Sequence, residues 1–157
     1  MDKVIVTALL TIGAVTAALV VILAIGPSIT ESSQAVSESQ NEAADRIRTS
    51  IEIIAVAPNA AGTQIDAWVK NVGVQPISPV SASDVFVITP GTRYDAMTYN
   101  TGGGDKTWKE DPVPSPWNRS DTLHIIIDLS ASALTTGDHQ LRVSTRNGIS
   151  ADITFSY

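Results

Sequence analysis

The sequence predicts an α+β protein: a long N-terminal hydrophobic α-helix followed by a small, Ig-like antiparallel β-sandwich. Three observations carry the prediction. The apolar residues of the 157-residue chain are piled at its N-terminal end. The hydrophobic period changes from helical to alternating after Arg48. Beyond that point, short alternating runs recur between turn-rich connections, with no helical pattern among them. The expected division is residues 1–48 for an assembly or transmembrane-type helix and 49–157 for the sandwich.

The helix comes first. Val4 to Ile25 is a run of 22 residues without a charge, and about 20 apolar residues span a bilayer as a helix. A cleaved secretory signal fits poorly, because its apolar run is ~7–15 residues after a basic start. Here Asp2 and Lys3 cancel. Small residues cover much of the surface: Thr7, Thr11, Gly13, Ala14, Ala17 and Ala18. Gly13/Ala17 and Ala14/Ala18 have the small-xxx-small spacing that lets helix backbones approach closely. A lone lipid-facing anchor does not need that spacing, whereas a helix packed among helices profits from it.

A break is expected at Gly26-Pro27, since Pro27 has no N–H to bond back to Leu23. After it, Ile29–Arg48 (ITESSQAVSESQNEAADRIR) carries one thin apolar stripe through Ile29, Val36, Ala43 or Ala44, and Ile47, continued at Ile51. The alternative for the serine-rich residues 28–41 is a solvated linker. If helical to Arg48, the segment is on the order of 70 Å long at 1.5 Å per residue.

The strands follow. Ser50–Ala57 and Gln64–Asn71 read as a pair around the turn at 58–62, with Ile65, Ala67 and Val69 facing opposite to Asp66, Trp68 and Lys70. Asp84–Ile88 and Asp121–Leu129 are further strands. In the last hairpin, a three-residue loop Arg146-Asn147-Gly148 with Gly148 left-handed pairs Thr145 with Ile149, Val143 with Ala151 and Leu141 with Ile153. That register keeps every apolar residue on one face, which a two-residue Asn147-Gly148 turn does not. Thr89–Ser120 is expected to be one long polar excursion, holding a Gly102-Gly103-Gly104 run and two exposed tryptophans, Trp108 and Trp117.

Chemistry is sparse. With 16 acidic against 10 basic residues and net charge −6, the chain has no electrostatic reason to bind nucleic acid. Cysteine is absent and only His124 and His139 are present, so thiol chemistry and the usual zinc sites are excluded. No cofactor and no small-molecule substrate is expected. Asp95, Asp105, Glu110 and Asp111 are weak calcium candidates without diagnostic spacing, beside the plainer reading of a solvated acidic loop. His124 is expected on a strand surface, and Asp128 with His139 is a pairing that separation alone does not establish. The expectation is a protein that is not an enzyme. Asn118-Arg119-Ser120 is a glycosylation sequon in an expected surface loop.

A long apolar helix, an amphipathic extension and a cysteine-free sandwich together resemble the type IV pilin-like superfamily. Within it the chain is most similar to the archaeal flagellin (archaellin) family and its stator relatives. Three segments carry the likeness: VIVTALLTIGAVTAALVVILAIG, the strand end WVKNVGVQPI at Trp68–Ile77, and the terminal RVSTRNGI at Arg142–Ile149. Family precursors carry a short basic leader ending in glycine, which is not visible before this helix; the chain is expected to be either processed or of an unprocessed type. The resemblance implies one of two roles. In a filament subunit used in motility, helices bundle with copies of themselves in the core and sandwiches form the wall. Such a subunit sits in the membrane before assembly and in an extracellular filament afterwards. In a stator-type or adhesion relative, the helix stays in the membrane and the sandwich binds a surface-layer partner. The filament is the leading expectation, since a repeated heterologous helix contact generates an open fibre and an acidic wall keeps it soluble.

Overall fold

The computed structural model describes residues 2–111 and 116–157, and for residues 25–31 the backbone assignment only. The first element is one helix, α1, Asp2–Arg48. The helical assignment continues through Gly26 and Pro27; the expected break lies among residues whose side chains are outside the described set. Asp2 stands in the first turn and Arg46 and Arg48 in the last, the charge order that complements a helix dipole. Two compact units result, residues 1–42 and Ala43–Tyr157.

Among the described residues the second unit has eight strands: β1 Ile51–Pro58, β2 Gln64–Asn71, β3 Asp84–Thr89, β4 Arg93–Tyr99, β5 Thr107–Glu110, β6 Thr122–Asp128, β7 Asp138–Ser144 and β8 Ser150–Ser156. Their hydrogen-bonded order is β1-β2-β6-β5-β4-β3-β7-β8. Every pairing is antiparallel except a short parallel one, Thr98 with Thr107 and Tyr99 with Trp108, which links the two halves of the sandwich. A bulge lies between Ile53 and Ala55 on the β1 edge, a local twist that makes an edge a poorer template for stray strands.

Alternation decides what is buried. Ile65, Ala67 and Val69 of β2 lie opposite Ile127, Ile125 and Leu123 of β6, and all six are buried. Val85 and Val87 of β3 face Val143 and Leu141 of β7 on the other sheet, again all buried. Each large aliphatic side chain so buried contributes roughly 1.5–3 kcal/mol, and cross-strand pairs of this kind hold both register and layers. The last hairpin has the register derived from burial: Leu141 opposite Ile153, Val143 opposite Ala151, Thr145 N–H on Ile149 O at 2.8 Å, and Gly148 at φ +80°.

The stretch 89–120 departs from expectation. It holds two strands, β4 and β5, and its tryptophans are core residues, Trp108 at 1% and Trp117 at 0% exposure. Trp108 enters because it pairs with Ile127 on the inward face of β6. Trp117 bridges to Ile77, and its indole N–H donates to Asp121 O at 2.9 Å, so its one polar atom is satisfied. A polar, glycine-rich sequence concealed these strands because β5 is short and β4 alternates only weakly. The prolines Pro112 and Pro114 lie outside the described residues.

The sandwich has two ends. At one, α1 enters, β2 leaves, β3 begins opposite Ser144, and the 145–149 turn closes. At the other lie the connections 59–63, 90–92 and 129–137, tied by Leu134 N–H on Gly62 O and by Arg93 Nη2 on Ser132 O. Gly91, in the β3–β4 turn at this second end, has φ +74° and open space where a Cβ would stand.

Candidate assembly helix and junction collar

The N-terminal half of α1 is apolar on all sides. From Val4 to Leu23 its large side chains are between 53% and 73% exposed, and Asp2–Ala24 is long and apolar enough to cross a membrane. Its polar groups are closed on themselves. The Thr7 hydroxyl donates to Lys3 O at 2.6 Å, Thr11 to Ala8 O at 2.8 Å and Thr16 to Ile12 O at 2.9 Å. A helix with its hydroxyls bonded back into its own backbone presents no unsatisfied donor to an apolar neighbour. A Cβ placed on Gly13 meets nothing within 4 Å, so nothing in this chain requires a glycine there. Gly13/Ala17 and Ala14/Ala18 therefore form small-residue faces without a partner among the described residues.

Within the second unit, a collar of hydrogen bonds ties the last turn of α1 to the strands and turns around it. Arg48 O accepts from Val74 N–H at 2.9 Å, and Ser50 O accepts from Val72 and Gly73 N–H at 3.0 and 2.9 Å. The backbones approach so closely that a Cβ on Gly73 would stand 2.6 Å from both Arg48 O and Ser50 N. Asn71, fully buried, organises the approach. Its Nδ2 donates to Gln75 O at 2.9 Å and Trp117 O at 3.1 Å, while its Oδ1 accepts from Gly73 N–H at 3.0 Å. From the hairpin side, Asn147 Nδ2 donates to Thr49 Oγ1 at 2.7 Å, and Arg46 Nε donates to Asn147 O at 2.9 Å. Thr49 Oγ1 donates in turn to Asp45 O, capping the last carbonyls of the helix. Asn147 is thus a turn residue and a helix clasp together. The spacing N-x-G after β2 is the signal for this junction in the sequence, yet only tertiary contact reveals why both residues are needed.

The acidic candidates do not converge. Asp95 is held by Arg93 and Lys106. Asp105 accepts from Ala131 N–H and the Ser132 hydroxyl at 3.0 and 2.7 Å. Glu110 accepts the Tyr99 hydroxyl at 3.0 Å, and Asp111 lies 3.4 Å from His124 Nδ1. Burial and the Glu110 carboxylate push the Tyr99 phenol above its usual value, whereas the Ser132 hydroxyl leads the contacts that hold Asp105 below the usual carboxylate range. Among the described residues no group of three His, Asp or Glu side chains could hold a metal ion.

The two histidines lie apart from one another in role. His139 is buried between Thr89 Oγ1 and Thr135 O at 2.8 and 2.7 Å. Asp128 is engaged elsewhere, by Gly104 N–H and Ser130 N–H. His124 stacks on half-buried Trp68 with ring centroids 4.9 Å apart and lies 3.0 Å from Asp66 Oδ1. Asn118 is exposed, in a turn closed by Asp121 N–H on Asn118 O at 3.2 Å, so the sequon is sterically open.

Comparison with known proteins places these features. The archaeal-type flagellin family matches residues 2–155. An uncharacterized protein of Archaeoglobus fulgidus is 31% identical over 152 residues, covering 94% of this chain and 91% of its own. Among solved structures, the archaellum periplasmic stator protein FlaG from Sulfolobus acidocaldarius matches with TM-score 0.58 and 24% identity, over 68% of this chain and 99% of that one. The archaeal flagellum of Methanospirillum hungatei strain JF1 matches with TM-score 0.60 and 14% identity, over 99% of this chain and 90% of that one. Both likenesses are of fold.

Proposed function

Because the chain belongs to the archaeal-type flagellin family, we propose that it is a structural subunit of an archaellum-like helical filament used in motility, assembled through its N-terminal helix. One observation carries the reading: Asp2–Ala24 is apolar on every side, unburied within its own chain, and lined with small residues at i, i+4 spacing. A bilayer alone would accept any apolar surface. Close-packed neighbouring helices make use of Gly13, Ala14, Ala17 and Ala18. The helix is held by lipid before assembly and by copies of itself afterwards, leaving the acidic sandwich on the extracellular wall. The chain then acts as a passive polymer unit, and its chemistry is that of packing.

A second reading is a membrane-anchored stator-type or adhesion protein whose sandwich binds a surface-layer partner. It draws on the fold shared with the stator protein, over 68% of this chain and 99% of that one. Shearing the native cell surface, imaging the material by negative stain and identifying the fibre protein by mass spectrometry separates the two. The filament reading expects this chain as the major fibre component. Fibres lacking it, with the chain retained in the membrane fraction, would replace that reading with the stator-type one.

A further inference from the structure

Outside the apolar half of α1, the exposed large hydrophobic residues among the described ones are Val36, Ile47, Ile54, Val72, Val74 and Tyr94. Three of them meet at the collar. Val72 and Val74 flank the end of α1 through their bonds to Ser50 O and Arg48 O, and Ile47, at 86% exposure, stands in the last helical turn. Four exposed arginines share this rim: Arg46, Arg48, Arg119 and Arg146. Arg119 belongs to it because Ser120 N–H bonds to Asn71 O at 2.8 Å. Arg146 belongs to it because its guanidinium reaches Ser78 O from the hairpin turn. None of the four is in an ion pair among the described residues, whereas Arg93 and Arg142 are paired with Asp95 and Asp152. The acidic residues at this end are Asp45, Asp84, which opens β3 opposite Ser144, and Asp121, which already accepts from Asn118 N–H, so the four arginines outnumber them. In a chain of net charge −6, the rim is opposite in sign to the whole. Exposed apolar residues ringed by uncompensated charge mark a protein contact.

The occupant is written in the same chain. Between Lys3 and Arg46 there is no basic residue, while Glu31, Glu38, Glu42 and Asp45 recur at spacings of seven, four and three. Those spacings set all four positions on one face of a helix, and α1 is helical across them. We infer that the arginine collar of one subunit docks the acidic face of α1, centred on Glu38 and Glu42, in a second copy of the chain. Ile47, Val72 and Val74 then shield the charge pairs from water, which strengthens them. The inference rests on the filament reading and gives it a specific lateral contact.

Charge reversal on each side tests it in the full chain. Arg48 and Arg119 are the residues to change, since Arg46 and Arg146 also hold the collar itself. Arg48→Glu with Arg119→Glu, or Glu38→Arg with Glu42→Arg, lowers fibre yield roughly tenfold or more, as like charges in a contact cost several kcal/mol and 1.4 kcal/mol is tenfold. Combining all four substitutions restores fibres, and thermal melting of the sandwich stays unchanged in every variant. Normal fibres from either one-sided variant overturn the contact while leaving the filament reading intact. Loss of fibres only on the arginine side, without rescue, also overturns it and points to another anionic partner. Absence of wild-type fibres removes the filament reading and the contact together.

Discussion

Gly73 and Asp105 show how much single positions decide here. At Gly73 the constraint is space: a methyl group would sit 2.6 Å from Arg48 O and Ser50 N, and the flanking backbone cannot give way without breaking its bonds to Val72 and Val74. Gly73→Ala is therefore expected to destabilise the sandwich by about 1–3 kcal/mol, lowering its melting midpoint by on the order of 10 °C. Circular dichroism melts of the two proteins decide it, and an unchanged midpoint would show that the collar can relax. At Asp105 the constraint is charge. Its folded-state value lies below the ordinary 3.8, so it contributes stability that is present above that value and lost as pH falls through the depressed one. Asp105→Asn should melt earlier than wild type near pH 6, with the gap narrowing as pH falls below 3.8. A gap that does not change with pH would mean the carboxylate's charge plays no part in holding the 100–106 loop to residues 131–132. Gly73 was marked in the sequence by its N-x-G spacing from Asn71, but the contact with Arg48 and Ser50 that demands a glycine was not. Asp105 gave no signal of its own, since it differs from Asp95 only in its distant partners.

At the level of elements, legibility followed locality. β2 was readable to its boundaries because Ile65, Ala67 and Val69 alternate cleanly against Asp66, Trp68 and Lys70, and one buried face admits one register. The last hairpin was readable for the same reason, sharpened by Asn147-Gly148. β4 and β5 were not readable: β5 is held by pairing with Ile125–Asp128 of β6 and by a parallel contact with β4, neither of which leaves a period in the chain. The helix poses the opposite case, since its pattern is plain and its partner is not. If its small-residue faces pack against other copies, Ala14→Phe or Ala18→Phe eliminates fibres while leaving the chain in the membrane fraction. Ordinary fibres from either variant, seen by negative stain, would assign those alanines to lipid. Gly148→Ala tests the hairpin: at φ +80° an L side chain costs roughly 1–3 kcal/mol of strain, readable as an earlier melt with fibre morphology retained.

The whole molecule divides its work between two units, and the division makes a prediction of its own. Residues 43–157 contain the full collar and both sheets, so a chain starting at Ala43 should unfold cooperatively at the midpoint of the full-length sandwich. It should form no fibres at any concentration. Failure to fold, read as a flat calorimetric trace, would mean that residues 1–42 stabilise the sandwich. The architecture of helix and sandwich was visible from composition alone, because an uncharged run of 22 residues and an abrupt change of period cannot be hidden. The collar was not, because it joins residues as far apart as Arg46 and Asn147.

The β3–β4 turn lies at the end of the sandwich away from that collar, and a Cβ placed on Gly91 in it would meet nothing within 4 Å. Loop length there is nearly free, since closing a longer flexible loop costs only about 0.6 kcal/mol per doubling. The chain can therefore be lengthened at this point without disturbing either the packed core or the helix clasp. A peptide epitope spliced in at Gly91 would turn each subunit into a carrier, and a fibre of such subunits into a surface on which the epitope repeats with the spacing of the assembly.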